Sequence, residues 1–302
     1  MRLGADSTSF SPLMPASLLN CLAPAKLNLF LHVTGRRPDG YHLLQTVFQL
    51  IARCDILDFS VREDGKICRT NDLPGVPPES DLVVRAARLL QSASGQVQLG
   101  ADITVKKQLP MGGGLGGGSS DAATTLIVLN HLWQTGLSRS QLMALGLQLG
   151  ADVPFFIFGE NAFAQGVGEE LTALPTPACW FAVIEPGIAI PTASIFSSKE
   201  LTRDTKVIRI TDFPEANNLL DKNFGKNDLE VVAARQFPQV AEAIQWLKQF
   251  GNARMTGSGA CVFCSFEHEH QADEVLKQVP SHWIAWKAKA MQEHPLAHLL
   301  SS

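Results

Sequence analysis

Six of the seven residues from Gly112 to Gly118 are glycine, and Ser119 and Ser120 follow them directly. Glycine admits positive φ and carries no Cβ, so its backbone N–H groups can turn inward and approach a ligand closely. Successive inward N–H groups form an anion nest, and a helix starting just behind adds free donors and partial positive charge. Leu109 to Asp121 therefore reads as a phosphate cradle. Pro110 and Met111 stand at its entrance, Gly112, Gly113, Gly114, Leu115, Gly116, Gly117 and Gly118 form its body, and Ser119 and Ser120 cap the helix. A flexible glycine linker is the plainer alternative. The stretch is short, however, Pro110 stiffens its entrance, and a capped helix follows at once. Lys107, just upstream, either contacts the nucleotide or ends a strand in solvent.

The loop is not the common P-loop, because no G-x-x-x-x-G-K-[ST] occurs, and no H-R-D or D-F-G accompanies it as in protein kinases. The eight histidines show no metal-ligand spacing. Of the six cysteines only Cys261 and Cys264 are close in sequence. Three residues apart in a strand, they point to opposite faces, which suits buried thiols in a reducing compartment better than a metal site.

The elements that must position this chemistry follow from periodicity. Ala25 to Val33 alternates, with Ala25, Leu27, Leu29, Leu31 and Val33 on one face and Lys26, Asn28, Phe30 and His32 on the other. It predicts a half-buried strand whose second face is mostly polar. Gly35 to Gly40 is a turn, and Tyr41 to Ile51 suits a helix or a buried strand. Ile56 to Val61 and Asp102 to Val105 read as strands, and Asn71 to Ser80 as a proline-rich loop. Asp81 to Gln91 reads as a helix capped by Ser80 or Asp81. Ser138-x-x-Gln141 is a capping box for a helix ending at Gly150. Val153 to Phe158, Phe163 to Val167 and Phe181 to Glu185 read as strands. The last third mixes helices (Leu229 to Arg235, Val240 to Phe250, Ala272 to Val279) with a strand, Ala260 to Phe266. Without regular β-α alternation the class is α+β. Glycines 159, 166 and 168 suggest a domain boundary near residues 160–170.

The 302 residues, 45% hydrophobic, suffice for two domains. A formal net charge of −4 argues against a nucleic-acid partner. No apolar run approaches the ~20 residues that cross a bilayer, so no membrane association is expected. Met1 to Asn20 is a poor signal peptide, which makes Met14 a sensible alternative start and the cytoplasm the expected location.

Pro110 to Ser120 resembles the ATP-binding loop of the GHMP kinases. Pro24-Ala-Lys-Leu-Asn-Leu-Phe-Leu resembles that family's N-terminal motif, and Met255-Thr-Gly-Ser-Gly-Ala-Cys261 its C-terminal glycine motif. Lys26-Leu-Asn-Leu, Asp39 to Thr46, Gly150-Ala-Asp-Val-Pro154 and Ile190-Pro-Thr192 narrow the resemblance to the branch whose substrate carries a cytidine diphosphate. The resemblance runs from about Leu22 onward. It implies a two-domain fold, with an N-terminal domain like domain 2 of ribosomal protein S5 and an α/β-plait-like C-terminal domain. Accordingly 1–20 is expected to be an extension, 21–165 the ATP-binding domain and 166–302 the substrate-side domain. The implied reaction is ATP-dependent phosphorylation of an alcohol on the way to isoprenoid precursors.

The same resemblance implies that Asp152 takes the proton of the substrate alcohol and that Lys26 supplies the cation beside it. On sequence alone, an Asp after a helix is more often a solvated turn residue. Asn28 shares the Lys26 face. Tyr41 and His42 fall at the cytidine end, with Phe48, Thr192 and Phe196, although Phe48 and Phe196 could serve the core alone. Mg²⁺ is expected with ATP; no carboxylate cage is visible, and a hydroxyl of Ser119 or Ser120 is the nearest ligand. A monomer or homodimer is equally compatible. The competing readings are a family member with another substrate, such as a homoserine or mevalonate kinase, and a nucleotide-binding regulator without catalysis.

Overall fold

The computed structural model describes residues 16–210 and 225–300. Met14, and the stretch 211–224 of the less characteristic region after Ile195, lie outside the described residues. Two β-sheets dominate the architecture, and helices cover the outer face of each.

The first sheet is organised by two long strands, β1 (Ser17–Arg36) and β2 (His42–Arg62), joined by the turn at 37–41 and antiparallel over their whole length. Register shifts between Pro24 and Ala25 and between Asn28 and Leu31 bend β1 beside the site, as bulges do. On its other side β2 is shared. Its later half pairs with β4 (Gly100–Lys106), which carries the short parallel β3 (Ile67–Arg69). Its earlier half pairs with β5 (Ala162–Gln165), which turns into β6 (Glu170–Ala173). The expected division between 165 and 166 falls inside this last hairpin, so the first sheet runs on to Ala173.

Four helices cover the outer face: α1 (Leu82–Ser94), α2 (Gly117–Leu132), α3 (Arg139–Leu147) and α4 (Val153–Phe158). Asp81 caps α1 by accepting the Val83 N–H, and the Ser138/Gln141 capping box opens α3, both as the sequence predicts. Two expectations fail. Val153–Phe158 is a helix, α4, not a strand: Pro154 sits in its first turn, where a missing N–H costs nothing, and Gly159 ends it in the left-handed region. Its all-apolar run is explained by burial, since Val153 to Ile157 lie in the core between α2 and the sheet. The helix before it ends at Leu147, not at Gly150.

The second sheet is antiparallel, in the order β10 (Ile284–Lys289), β7 (Trp180–Glu185), β9 (Val262–Phe266) and β8 (Arg254–Met255). Helices α5 (Thr192–Ser197), α6 (Asp228–Gln236), α7 (Pro238–Leu247) and α8 (Glu269–Leu276) belong to this half. Cys264 lies in the core under these helices while Cys261 joins a different cluster; all six cysteines are free, and the opposite-face expectation holds.

That other cluster lies between the two sheets. Leu27, Leu29, Val47 and Phe163 of the first meet Phe181, Val183, Phe263 and Trp286 of the second. It corrects the reading of β1: every residue from Ala25 to Val33 is buried, on both faces. Lys26 and Asn28 face a cleft inside the molecule rather than bulk water. The chain finally returns to the first domain. The Met291 N–H donates to Leu50 O at 2.9 Å and the His294 N–H to Gly159 O at 2.8 Å, and Leu296 and Leu300 are buried in the first core.

Candidate active site

A cleft of about 1330 Å³ opens along the joint between the two halves. The glycine loop, Lys26, Asp152, the turn at 39–42, α5 and the Gly257–Gly259 segment all line it.

The loop is packed, not a linker. Lys26 N–H donates to Leu115 O at 3.0 Å and Cys261 N–H to Gly113 O at 3.1 Å, tying the loop to both domains. Gly114 and Gly116 take φ of 76° and 73°. A Cβ on Gly114 would fall 2.2 Å from Thr256 O, and one on Gly116 would fall 2.9 Å from the Phe156 ring and 3.2 Å from the Lys26 side chain. No other residue satisfies both backbone sign and space. The helix behind the loop differs from expectation in its cap. Gly116 occupies the N-cap position, with no side-chain hydrogen bond; Ser119 and Ser120 fall within the first turn, and Ser120 is buried. The first-turn N–H groups are thereby left for an anion.

Lys26 is fixed from several sides. Its Nζ donates to Asn28 Oδ1 at 2.5 Å, lies 3.4 Å from Asp152 Oδ2 and sits 5.2 Å from the centre of the Phe48 ring. Asn28 Nδ2 in turn donates to Thr46 Oγ1 at 2.9 Å, whose hydroxyl donates to Phe30 O. This chain fixes the Asn28 amide with its oxygen toward the lysine. Asp152 immediately precedes α4, so it lies at the start of a helix rather than past the end of one. The Lys26 side chain is 4% exposed and that of Asp152 34%, so the carboxylate reaches into the cleft while the ammonium stays sheltered.

Lys107 is held differently. Its Nζ pairs with Asp55 Oδ2 and, at 2.8 Å, with Asp121 Oδ2. Asp55 Oδ1 also accepts the N–H groups of Gln108, at 2.5 Å, and Leu109, at 2.9 Å, at the entrance to the glycine loop. Burial disfavours the Lys107 charge, but Asp121 and Asp55 outweigh it and hold its pKa above the ordinary lysine value. Burial pushes the Asp121 carboxyl up to about 7, against the pull of Lys107 and with Asp55 adding to the rise. Sequence reasoning found Lys107 and missed both carboxylates; Asp55, isolated in mid-strand, carries no pattern. It also missed Leu73, Pro74 and Val76, which line the cleft from the proline-rich loop.

At the opposite end, Tyr41 is 64% exposed at the rim, and the His42 ring lies 4.9 Å from that of Phe196. Thr192 Oγ1 lies 2.8 Å from Ser258 Oγ. Phe48 is different: at 2% exposure, with its ring 4.7 Å from Phe155, it is a core residue that shows one edge under Lys26. Arg203, unnoticed in the sequence, donates from Nε to His42 Nε2 at 3.0 Å. Among the described residues no cluster of three His, Cys, Asp or Glu could hold a metal ion, and no helix is long and apolar enough to cross a membrane.

Residues 81–160 match the family model of the GHMP kinases N terminal domain, and residues 205–285 that of the GHMP kinases C terminal domain. The chain is 68% identical over 293 residues to the 4-diphosphocytidyl-2-C-methyl-D-erythritol kinase of Janthinobacterium sp. (strain Marseille), an alignment covering 96% of this chain and 100% of that one. The chain belongs to the GHMP kinase family. A second such kinase, from Herminiimonas arsenicoxydans, is 68% identical over 289 residues, covering 95% of this GHMP kinase and 99% of the relative. A crystal structure of 4-(cytidine 5′-diphospho)-2C-methyl-D-erythritol kinase superposes with a TM-score of 0.75 at 33% identity, over 90% of this chain and 99% of that one. Homoserine kinase from Cytophaga hutchinsonii shares the fold, with a TM-score of 0.72 at 14% identity. The two-domain α+β architecture is therefore the GHMP kinase fold.

Proposed function

We propose that this GHMP kinase transfers the γ-phosphoryl group of ATP to the C2 hydroxyl of 4-diphosphocytidyl-2-C-methyl-D-erythritol, giving the 2-phosphate and ADP. The reaction belongs to the methylerythritol phosphate route to isoprenoid precursors. The enzyme works in the cytoplasm as a monomer or homodimer. The observation that carries the reading is the Lys26–Asp152 pair at 3.4 Å, in a cleft with the glycine loop on one side and His42 and Phe196 on the other.

Phosphoryl transfer to an alcohol asks mainly for alignment and charge stabilisation. The backbone N–H groups of the loop and of the first turn of α2 hold the triphosphate. Asp152 accepts the proton of the C2 hydroxyl as its oxygen bonds to the γ-phosphorus and the bond to the bridging oxygen of ADP breaks. Lys26, pointed by Asn28, orients that hydroxyl and stabilises the charge developing on the phosphoryl oxygens. Tyr41, His42, Thr192 and Phe196 bind the cytidine end. Mg²⁺ carried in with ATP would neutralise phosphate charge, with the Ser119 hydroxyl the side chain that would hold it. The residues present fit an ion carried largely by ATP and water: Ser119, half-buried and lining the cleft, offers a hydroxyl, and among the described residues no carboxylate cage competes.

ADP release measured against a panel of alcohols tests the reading. Turnover that depends on the cytidine diphosphate substrate is expected. Turnover of homoserine or mevalonate instead, or ATP binding with no turnover of any alcohol, overturns it.

A further inference from the structure

Thr46 of β2 is buried two hydrogen bonds behind the Lys26 ammonium. Its hydroxyl donates to Phe30 O, across the β1–β2 pair. A carbonyl only accepts and a hydroxyl has one proton, so that proton is committed and only lone pairs remain for Asn28. Asn28 must therefore meet Thr46 with Nδ2, at 2.9 Å, and turn Oδ1 toward Lys26 Nζ, at 2.5 Å. The opposite setting of the amide fails at both ends. It would bring two acceptors together at Thr46 and two donors together at Lys26, and all three residues are buried away from water that could relieve the mismatch.

The main chain of Asn28 is pinned from the second domain. Its N–H donates at 3.0 Å to Oγ1 of Thr256, which is wholly buried in the C-terminal glycine motif. The Thr256 hydroxyl in turn lies 3.4 Å from Gly114 O in the phosphate loop. With the backbone held this way, the orientation of the amide is what remains to be set. An ammonium has three N–H donors. Asn28 takes one, Asp152 Oδ2 lies 3.4 Å away for a second, and Lys26 lines the cleft with the third.

We infer that Thr46 is a positioning residue for phosphoryl transfer: by committing its proton to Phe30 O it fixes the Asn28 amide, and through that amide it aims the remaining Lys26 donors at Asp152 and the transferred group. This rests on the proposed reaction, in which Lys26 acts on that group.

The test is steady-state kinetics of the full chain with ATP and 4-diphosphocytidyl-2-C-methyl-D-erythritol. Thr46→Val removes the hydroxyl and keeps the shape, whereas Thr46→Ser keeps the hydroxyl. T46V is expected to lower kcat about tenfold with KM for both substrates within about twofold of wild type. T46S should hold kcat within about twofold. Asn28→Ala supplies the second arm. Because Thr46 acts through Asn28, the double variant N28A/T46V should turn over no more slowly than N28A alone; a merely structural threonine would lower the rate by the same factor in either background. An unchanged kcat in T46V, equal losses in T46V and T46S, or additive losses in the double variant overturn the inference. In a neutron structure of wild type, the deuterium on Thr46 Oγ1 should point to Phe30 O and Asn28 Nδ2 should face Thr46. Nδ2 facing Lys26 overturns the inference without any variant, so a poorly folded T46V does not shelter it. That readout needs no turnover. A protein that phosphorylates no cytidine substrate but shows this orientation keeps the role of Thr46 in setting Asn28 and loses the proposed reaction. Turnover of that substrate unaffected by T46V does the reverse.

Discussion

Two lysine–aspartate clusters flank the glycine loop, and they are built to opposite ends. At Lys107 the ammonium touches two carboxylates, both almost wholly buried, and Asp55 also grips the backbone at the loop entrance. At Lys26 a buried ammonium has one carboxylate at 3.4 Å, and Asp152 stays open to the cleft. In the first cluster Asp55 is wholly buried and spent on Lys107 and the chain, while Lys107 and Asp121 also border the cleft. The second keeps a carboxylate edge available for a substrate proton. A buried ion cluster that grips the backbone serves architecture, while a partly open pair of the same residue types is equipped for chemistry.

Four substitutions test that contrast. The largest effect is expected from Asp152→Asn, which removes the proposed proton acceptor and leaves the shape. kcat should fall about 1,000-fold, or ~4 kcal/mol, with ATP affinity by calorimetry within about twofold of wild type. Near-normal turnover by D152N would erase the distinction. Next comes Asp55→Asn, which leaves Lys107 with one partner and weakens the clamp on Gln108 and Leu109. It should lower stability in urea by about 3 kcal/mol and raise the KM for ATP, with kcat at saturation within a few-fold. A catalytic collapse without loss of stability would reverse the roles of the clusters. Lys26→Met should cost about 100-fold in kcat/KM but little in thermal stability. A large drop in Tm instead would make Lys26 structural.

The smallest effect at any one pH step is a pH slope. The Asp121 pKa, about 7 in the folded protein, lies above its unfolded value of about 3.9. Between these values the native state keeps a proton that the unfolded chain has released, so this group lowers stability as pH rises through the window. Asp121→Asn removes the contribution. Relative to wild type it should gain up to about 1.4 kcal/mol per pH unit between pH 4 and 7, read from urea melts. Parallel curves would show that Asp121 does not titrate there.

Local patterns carried the loop, the capping box, the Asp81 cap and Lys26, because each depends on neighbours in sequence. The failures depended on tertiary context. Val153–Phe158 reads as a strand because complete burial erases the helical period, leaving only Pro154 and Gly159 to mark its ends. β1 reads as half-buried because its polar face is covered by distant segments: Lys26 lies against Leu115, Gly116 and Phe48, and Asn28 against Thr46 and Thr256. Asp55, Asp121 and Arg203 act through partners 14 to 161 positions away, and no single-chain periodicity reports such distances. The exposed end of the cleft was legible only through the resemblance, since a tyrosine and a histidine after a turn have no pattern of their own.

The return of residues 290–300 to the first domain has a consequence for synthesis. Leu296 and Leu300 fill the core around α2 and α4, and His294 closes on Gly159. These contacts join the first domain to residues that leave the ribosome only after the whole second domain. The first domain therefore emerges with an apolar slot still open, and its core is completed by a segment made after the second domain. A nascent chain arrested near residue 250 should be cleaved by protease within 16–173, where the released protein resists. The two halves share a cleft, and on this view they also share the moment at which folding finishes.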